Sequence, residues 1–382
     1  MTAAAPPPAR PLAAGAFATL ASQLIAIGAT TVTSVAIARL LGPSGTGAVA
    51  LVVNLVGLGA ILFGLGLRAG IVYELNSGAW QLREAARQTA LAAIVLGLIG
   101  SGVVLLLYAL TRDSVLADLD FVTAAAAAAA LPFAIAVVFA SAIALARDRY
   151  EAYGAFQALA PVVSMVLAVG LAVAFDVPGA AVGIAAATAL TAVAAWVWLA
   201  RYVAVHEGST AAAGAARGRL RPATRFGLQA WGGEVLQFLN YRIDLFILNS
   251  FAVIADVGVY SIAVTLTSLA WLLPNALTVV LFPRAASLEA ATRSGAIPQS
   301  EADVTAVKGA RQTIIALIPS LLVTLVLLFV AVPLLYGDKF DETTVLGLVL
   351  LPGVLAIGFG RSLTAITTGR GHPLRRDRPL GG

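Results

Sequence analysis

The chain has 382 residues, of which 60% are hydrophobic and 11% are charged, whereas soluble domains average about 45–50% apolar and about 25% charged residues. This composition excludes a water-soluble fold. The net charge is +5, but the basic residues are spread between long apolar runs, which argues against a nucleic-acid partner. The chain contains no cysteine, and its two histidines, His206 and His372, lie in polar connecting segments. Metal hydrolysis and Ser-His catalysis therefore have almost no residues to use.

Ten segments of the chain are long and apolar enough to cross a membrane as helices. Crossing about 30 Å of hydrocarbon takes about 20 mostly apolar residues, because a helix rises about 1.5 Å per residue. Lipid offers no hydrogen-bond partners to backbone N–H and C=O groups, so these groups must bond within the helix. The predicted fold is therefore all-α, a polytopic membrane protein with ten transmembrane helices. The predicted spans are residues 15–38, 46–67, 89–110, 121–146, 155–175, 178–200, 226–252, 257–282, 312–335 and 344–368.

Turn chemistry predicts breaks between consecutive spans at three places. The string GPSG at residues 42–45 separates spans 1 and 2, DVPG at residues 176–179 separates spans 5 and 6, and YGD at residues 336–338 separates spans 9 and 10. Glycine and proline in such strings interrupt helices. The first span is about twice as long as the apolar part of a signal peptide, so we interpret it as a retained span.

The positions of the basic residues predict the orientation of the chain. With a cytoplasmic N-terminus, 19 of the 24 Lys and Arg residues fall in the inner connections and the two ends. Loops rich in Lys and Arg stay on the cytoplasmic side. We therefore predict a multi-pass protein of the cytoplasmic membrane with both termini in the cytoplasm. The five remaining basic residues are Arg39, Arg112 and Lys339 outside, and Arg242 and Arg361 within spans.

The connections between spans predict two lobes and no outer domain. The longest outer connection has about ten residues, at 111–120, which leaves no room for an external catalytic domain. The longest inner connection is basic and rich in small residues, and it divides six spans from four. We predict an N-terminal lobe with helices 1–6 at residues 1–200, a basic cytoplasmic linker at 201–225, and a C-terminal lobe with helices 7–10 and a charged tail at 226–382.

A weak internal repeat relates the two lobes. Shifting the chain by 211 residues places residues 44–50 on 255–261, so that Gly47 meets Gly258 and polar Asn54 meets Thr265. Identity is low, but the same break between two long spans recurs in both halves. Two repeat-related bundles that face one another are a common transporter plan, with the substrate site at their interface.

Several motifs resemble those of the oligosaccharide flippases in the multidrug/oligosaccharidyl-lipid/polysaccharide exporter superfamily. They are ARLLGPSGTG at residues 38–47, RIDL at 242–245, ADVGVY at 255–260, LP at 273–274 and LFPR at 281–284. The resemblance covers residues 15–370 approximately. It implies two six-helix lobes around a central cavity that alternates between inward-open and outward-open forms.

The chain departs from this family pattern at its end. With spans 1–6 matched by spans 7–12, the second lobe stops after span 10, and the string RGHPLRRDR at residues 370–378 replaces an eleventh helix with a charged tail. We expect a 6 + 4 arrangement in which the second lobe is two helices short. Either the coding sequence is truncated or frameshifted, or a natural short form completes itself by oligomerising; the oligomeric state is left open.

The seventh span is amphipathic although it lies within the membrane. Arg242 projects about 80° from Glu234, on the other flank of the helix, and lies two residues from Asp244, a spacing too poor for an ion pair along the helix. It lies about 15 Å from the outer end, too deep for easy snorkelling. Ionisable groups at this depth cost about 2.5–3.5 kcal/mol each, so they usually face a cavity. The polar arc, about 140° wide at 100° per residue, consists of Gln229, Glu234, Gln237, Asn240, Tyr241 and Asp244.

Polar residues of other spans are predicted to line the same cavity. Hydroxyls in membrane helices often bond only their own backbone or pack against a neighbour, which is the alternative for this set. The glycines between Gly57 and Gly70 are predicted to serve close helix packing, because no strand precedes them and no Lys-Ser/Thr follows, as a phosphate loop requires. The additional predicted cavity residues are Gln23, Thr30 and Ser34 of span 1, Asn54 of span 2, and Ser268 and Asn275 of span 8.

Three charged residues of the seventh span have side chains suited to particular roles. Arg242 offers two parallel N–H donors to a phosphate group, while Glu234 or Asp244 takes up a coupling proton or sodium ion. The alternative is a structural ion pair or hydrogen-bond network between helices. No cofactor, metal site or catalytic residue is predicted.

The leading hypothesis is a flippase that moves a polyprenyl-diphosphate-linked oligosaccharide across the cytoplasmic membrane for surface polysaccharide biosynthesis. Such a substrate needs a cation, a hydrogen-bonding cavity and an opening to lipid. A cation-coupled multidrug exporter of the same superfamily is the first alternative; Glu234 and Asp244 suit its cationic substrates, whereas Arg242 does not. A membrane polysaccharide polymerase or ligase is the second alternative, but it would need a long outer loop carrying Arg and His. The predicted partners are the substrate, membrane lipid and the coupling ion.

Overall fold

The structure, a computed structural model, describes residues 12–112, 119–206, 220–271, 311, 315 and 317–369. These residues form helices and short connections, and no strand occurs among them. Residues Leu327–Tyr336 are wound as a π-helix that contains Pro333. The helices are α1 (Leu12–Gly64), α2 (Leu67–Asn76), α3 (Leu82–Thr111), α4 (Phe121–Ala146), α5 (Tyr150–His206), α6 (Leu220–Phe251), α7 (Ile254–Ser268), α8 (Leu317–Tyr336) and α9 (Glu342–Gly369).

Seven helical stretches in the described part of the chain are long and apolar enough to cross a membrane, which confirms the predicted all-α polytopic membrane fold. Two of them, Thr19–Gly64 and Tyr150–His206, have 46 and 57 residues, about twice the length of one crossing. Helix α6, which coincides with the predicted seventh span, is not among the seven. The number of ten crossings therefore stays a prediction.

Backbone breaks confirm the three predicted turns. Helix α1 is broken at Gly42 (φ 67°, ψ −168°) and α5 at Asp176 (φ 52°, ψ −138°). Helix α8 ends at Tyr336, and the next residue, Gly337, has a φ of 87°. A right-handed helix does not accommodate a positive φ, so each of these residues ends one helical segment and begins the next. The two long helices α1 and α5 thus each consist of two segments.

Gly42 provides a test of the break that is free of packing effects. A Cβ placed on Gly42 or on Gly28 meets no atom within 4 Å, but only Gly42 has a positive φ. We expect Gly42→Ala to lower the free energy of unfolding by about 1–2 kcal/mol, because the left-handed region is unfavourable for alanine. Gly28→Ala should be neutral or slightly stabilising, since alanine favours helix. Thermal unfolding in detergent measures both, and equal midpoints for the two variants would contradict the role of the backbone angle.

The amphipathic helix α2 was not predicted. The sequence analysis ended span 2 at residue 67 and placed no helix before residue 89, but the chain turns at Leu65 and Gly66, where φ is 50° and 62°, and then forms α2. Leu67, Ile71 and Leu75 of α2 are fully buried. They join α3, α4, the end of α5 and Ala223 of α6 in one apolar cluster. Tertiary packing therefore holds a helix that is too short and polar to be a span.

Small residues let the helices of the N-terminal part approach closely. The alanine run at residues 124–130 is mostly buried, as predicted for a packing face, and it contacts α1, α3 and α5. Outward-facing leucines of α3 such as Leu91, Leu98 and Leu110 are more than half exposed. Membrane helices associate through close packing of small residues and turn large apolar side chains toward lipid, and this arrangement has both features.

By internal packing the chain divides into two compact units, residues 1–258 and residues 259–382. The first contains α1–α6 and the first turn of α7. In the second, Trp271 Nε1 donates to the Val354 carbonyl at 3.0 Å and Thr343 Oγ1 donates to the Val259 carbonyl at 3.1 Å. The predicted lobes and their linker at 201–225 stay a prediction, and residues 207–219 of that linker lie outside the described residues.

Candidate functional site

Helix α6 presents three faces. Gly227, Leu245 and Asn249 are buried on the face that packs on other helices of the first unit. Leu236 and Ile243 are exposed apolar residues on a second face. Gln237 and Asn240 of the predicted polar arc are exposed on a third. The polar arc predicted from the sequence therefore borders the packed face of α6.

The packed face of α6 runs antiparallel to the second segment of α1 and to α2. Trp231 Nε1 donates a hydrogen bond to the Ile61 carbonyl at 3.0 Å. A Cβ placed on Gly57 would lie 3.3 Å from the Phe238 ring. Towards α2, a Cβ on Gly70 would overlap the Ala223 carbonyl. These contacts fix the register of the two helices.

The α2 end of this helix pair is a backbone-to-backbone contact, here called the α2 end contact, formed by Gly66 and Gly70 with Ala223 and Gly227. A Cβ on Gly66 would overlap the Gly227 carbonyl, and a Cβ on Gly227 would overlap the Gly66 carbonyl. For Gly66 and Gly70 this confirms the prediction of close helix packing, whereas a Cβ on Gly64 would meet no atom within 4 Å. A side chain larger than hydrogen at Gly66, Gly70 or Gly227 would separate the helices here.

A second close contact, here called the Gly47–Gly258 contact, lies at the opposite end of the same α1 segment. A Cβ on Gly47 would overlap the Ile254 carbonyl, and a Cβ on Gly258 would overlap the Pro43 carbonyl. The offset of 211 residues found in the sequence relates Pro43 to Ile254 and Gly47 to Gly258, so the contact is reciprocal. This is what a two-fold relation between the repeated segments produces.

The two end contacts bracket a polar level in the middle of the α1 segment. Asn54 lies about 16 Å from either end of that segment at 1.5 Å per residue. One turn beyond the Gly57–Phe238 contact, the antiparallel helices reach Asn54 on α1 and Tyr241 and Arg242 on α6. The structure thus brings Asn54 to the level of Arg242. Asn54 is 8% exposed, and its Nδ2 donates to the Ala50 carbonyl at 2.8 Å.

The charged residues of α6 are placed in different surroundings. Arg242 and Asp244 are both half-buried, and each engages other groups of the protein. The Asp244 carboxylate accepts a hydrogen bond from the Leu245 amide at 2.8 Å. Glu234 lies about two helical turns away and lines, together with Arg68, a cavity between α2 and α6. The two coupling candidates are therefore at separate levels.

The remaining predicted cavity residues vary in exposure. On α1, Gln23 and Thr30 are exposed and Ser34 is half-buried. Ser268 of α7 donates to the Val264 carbonyl at 2.6 Å, a bond to its own helix that matches the structural alternative weighed for such hydroxyls. Asn275 lies outside the described residues. A cavity role for these residues therefore stays a prediction.

Sequence analysis overlooked the grouping of Arg68 with Glu234. Nothing in the sequence pairs α2, which carries Arg68, with the start of α6. The available signal was the small-xxx-small spacing of Gly66 and Gly70 on one helix and Ala223 and Gly227 on the other. Among the described residues, no group of three acidic, His or Cys side chains could hold a metal ion.

Comparison with known proteins identifies one family. The profile of a family described as Polysaccharide biosynthesis protein matches residues 12–289. No curated protein sequence gives a significant match.

Comparison with solved structures shows the same fold in transporters. An outward-facing MATE family multidrug resistance transporter of the MOP superfamily is 19% identical, with 94% of this chain and 82% of that chain covered and a TM-score of 0.57. A MATE protein in complex with MaD5 is 18% identical, with 94% and 83% covered and a TM-score of 0.56. A eukaryotic MATE transporter is 15% identical, with 94% and 84% covered and a TM-score of 0.55. At these identities the likeness concerns the fold.

Proposed function

The chain belongs to the polysaccharide biosynthesis protein family, and we propose that it is a transporter of the multidrug/oligosaccharidyl-lipid/polysaccharide exporter superfamily that flips a polyprenyl-diphosphate-linked oligosaccharide across the cytoplasmic membrane for surface polysaccharide biosynthesis. The family match over residues 12–289 carries this proposal. Transport proceeds by alternating access, and no covalent step is part of it.

The level of Arg242 supplies the chemistry that this substrate requires. A guanidinium group binds phosphate oxygens through two parallel N–H donors and stays charged at any physiological pH. Asn54 lies at the same level, and the exposed amides of Gln237 and Asn240 provide hydrogen-bond partners for sugar hydroxyls. Gln23, Thr30, Ser34 and Tyr241 complete the proposed cavity lining. The apolar flank of α6, with Leu236 and Ile243 exposed, offers a path for the polyprenyl chain.

A carboxylate on α6 is the proposed coupling group. Asp244 follows Arg242 by two residues, so protonation or sodium binding there changes the charge close to the phosphate site. Glu234 is the second candidate, although it lies at the level of the α2 cavity. The coupling ion is a proton or sodium.

The second candidate function is a cation-coupled multidrug exporter. It is favoured by the structural likeness to MATE transporters, which extends over 94% of the chain. Glu234 and Asp244 suit cationic substrates, but Arg242 at the same level as Asn54 would repel them. The matched proteins are transporters, which speaks against a polysaccharide polymerase or ligase.

Transport by the purified protein distinguishes the two functions. The protein is reconstituted in liposomes that contain a fluorescent polyprenyl-diphosphate oligosaccharide, and a membrane-impermeant quencher reports the fraction exposed outside. We expect the fraction of fluorescent lipid that is protected from the quencher to fall faster when the protein is present. We expect no accumulation of the cationic dye ethidium under a proton or sodium gradient. Ethidium transport without lipid flipping would instead establish the multidrug exporter.

The proposed orientation is tested by cysteine labelling, for which the cysteine-free chain needs no prior mutagenesis. Ser114→Cys and Ser209→Cys lie in connections predicted to face opposite sides. In intact cells, an impermeant thiol reagent should label Ser114→Cys but leave Ser209→Cys unlabelled until the membrane is opened. Labelling of Ser209→Cys from outside would reverse the topology.

A further inference from the structure

A cavity of about 650 Å³ lies between α2, the start of α6 and the end of α4. Its polar lining comprises Arg68, Asn76, Ser77 and Glu234, and its walls include Tyr73 and Phe226. Arg68 follows the apolar α1 by four residues. The cavity is therefore at the level where a membrane helix leaves the hydrocarbon and meets the lipid headgroups.

The walls of this cavity, here called the α2–α6 cavity, are held in place by the packing around them. The rings of Tyr73 and Phe226 are stacked, with centroids 4.3 Å apart and an interplanar angle of 9°. The α2 end contact fixes the two helices against each other directly beside these rings. Val72 and Leu145 add apolar lining. The cavity thus combines a rigid apolar surface with a small set of polar groups.

The polar groups of the α2–α6 cavity carry opposite charges that do not neutralise each other directly. Arg68 is exposed and Glu234 is half-buried. Within the described parts of the chain, neither side chain forms an ion pair or a hydrogen bond. Each charge is therefore available to a ligand that enters between α2 and α6.

The charge pattern selects a class of ligand. A purely anionic group, such as a pyrophosphate, would be attracted by Arg68 but repelled by Glu234. A cation would be attracted by Glu234 but repelled by Arg68. A zwitterion with a phosphate at one end and an ammonium at the other satisfies both. We propose that the α2–α6 cavity binds the phosphoethanolamine headgroup of a membrane phospholipid, with the phosphate on Arg68 and the ammonium on Glu234.

This proposal is independent of the transported substrate. It gives Glu234 a lipid-binding role and leaves Asp244 as the coupling candidate. Guanidinium binds phosphate oxygens through two donors, and the apolar walls accommodate the glycerol and the first acyl carbons.

Native mass spectrometry of the full chain tests the lipid preference. The detergent-purified protein is exposed to equal amounts of phosphatidylethanolamine, phosphatidylglycerol and a cationic trimethylammonium lipid with matched acyl chains. We expect the protein to retain about ten times more phosphatidylethanolamine than either of the other two lipids, because a tenfold preference corresponds to about one additional charged hydrogen bond. Equal retention of all three lipids would overturn the proposal.

Single-charge variants should shift the preference in opposite directions. Glu234→Gln is expected to favour phosphatidylglycerol, and Arg68→Gln is expected to favour the cationic lipid. Arg68→Lys and Glu234→Asp keep both charges and should keep the wild-type order, which separates recognition from misfolding. Arg83→Gln removes a basic residue that does not line the cavity, and it serves as the matched control. A preference that is unchanged in both neutral variants would contradict the assignment.

Soluble glycerophosphoethanolamine distinguishes a lipid from a free headgroup. Because half of the proposed contact is apolar, the soluble compound should not displace the lipid at equal concentration. Displacement at equal concentration would show that a soluble zwitterion, and not a phospholipid, is the occupant.

Discussion

Replacing Arg242 by alanine is expected to abolish transport of the lipid-linked oligosaccharide while leaving the amount of folded protein near normal. The side chain is half-buried at the middle of the α1–α6 pair, where a fixed cation interacts with a phosphate far more strongly than in water. Arg242→Lys keeps the charge but loses the planar pair of donors, so it should transport partially. Quencher accessibility in liposomes measures transport, and size-exclusion chromatography measures the folded fraction.

The competing interpretation of Arg242 is a structural ion pair. In that case Arg242→Ala leaves a carboxylate without its partner, at a cost of about 3–5 kcal/mol, and the variant should be poorly expressed. Double neutralisation separates the two cases. Arg242→Gln combined with Asp244→Asn, or with Glu234→Gln, restores both folding and transport if the pair is structural, but restores no transport if Arg242 binds phosphate. Full transport by either double variant would overturn the phosphate-binding role.

The sequence predicted the local breaks of this fold better than its helix pairings. The breaks at Gly42, Asp176 and Gly337 were predictable because glycine, proline and aspartate act on their own backbone. Helix α2 was not predictable in the same way, because its formation depends on burial of Leu67, Ile71 and Leu75 against distant parts of the chain. Local chemistry is visible in sequence, but a short helix held by tertiary contacts is not.

The candidate site shows the same division. The amphipathic character of α6 follows from its polar arc, which 100° periodicity reveals directly. The placement of Arg68 and Glu234 in the lining of one cavity depends on the register between α2 and α6. That register is set by Gly66 and Gly70 packing on Ala223 and Gly227, and small residues indicate that helices approach closely without saying which helix is the partner.

The two close contacts at the ends of the α1 segment should control access to the polar level from opposite sides. Gly47→Ala places a methyl group against the Ile254 carbonyl, and Gly70→Ala places one against the Ala223 carbonyl. Such overpacking costs about 1–3 kcal/mol. Because each substitution strains the closed form at one end only, it should raise the fraction open at that end by about 5- to 100-fold.

Asn54→Cys reports this opening, since Asn54 is 8% exposed between the two contacts. With Gly47→Ala, an impermeant thiol reagent should label the cysteine faster from the side of the Gly47–Gly258 contact, which the charge distribution predicts to be outside. With Gly70→Ala, labelling should be faster from the cytoplasmic side. Gly102→Ala on α3 is the control, because a Cβ there meets no atom within 4 Å. Acceleration from both sides by either single variant would mean that the contacts only stabilise the fold, since a gate at one end admits reagent from that end alone.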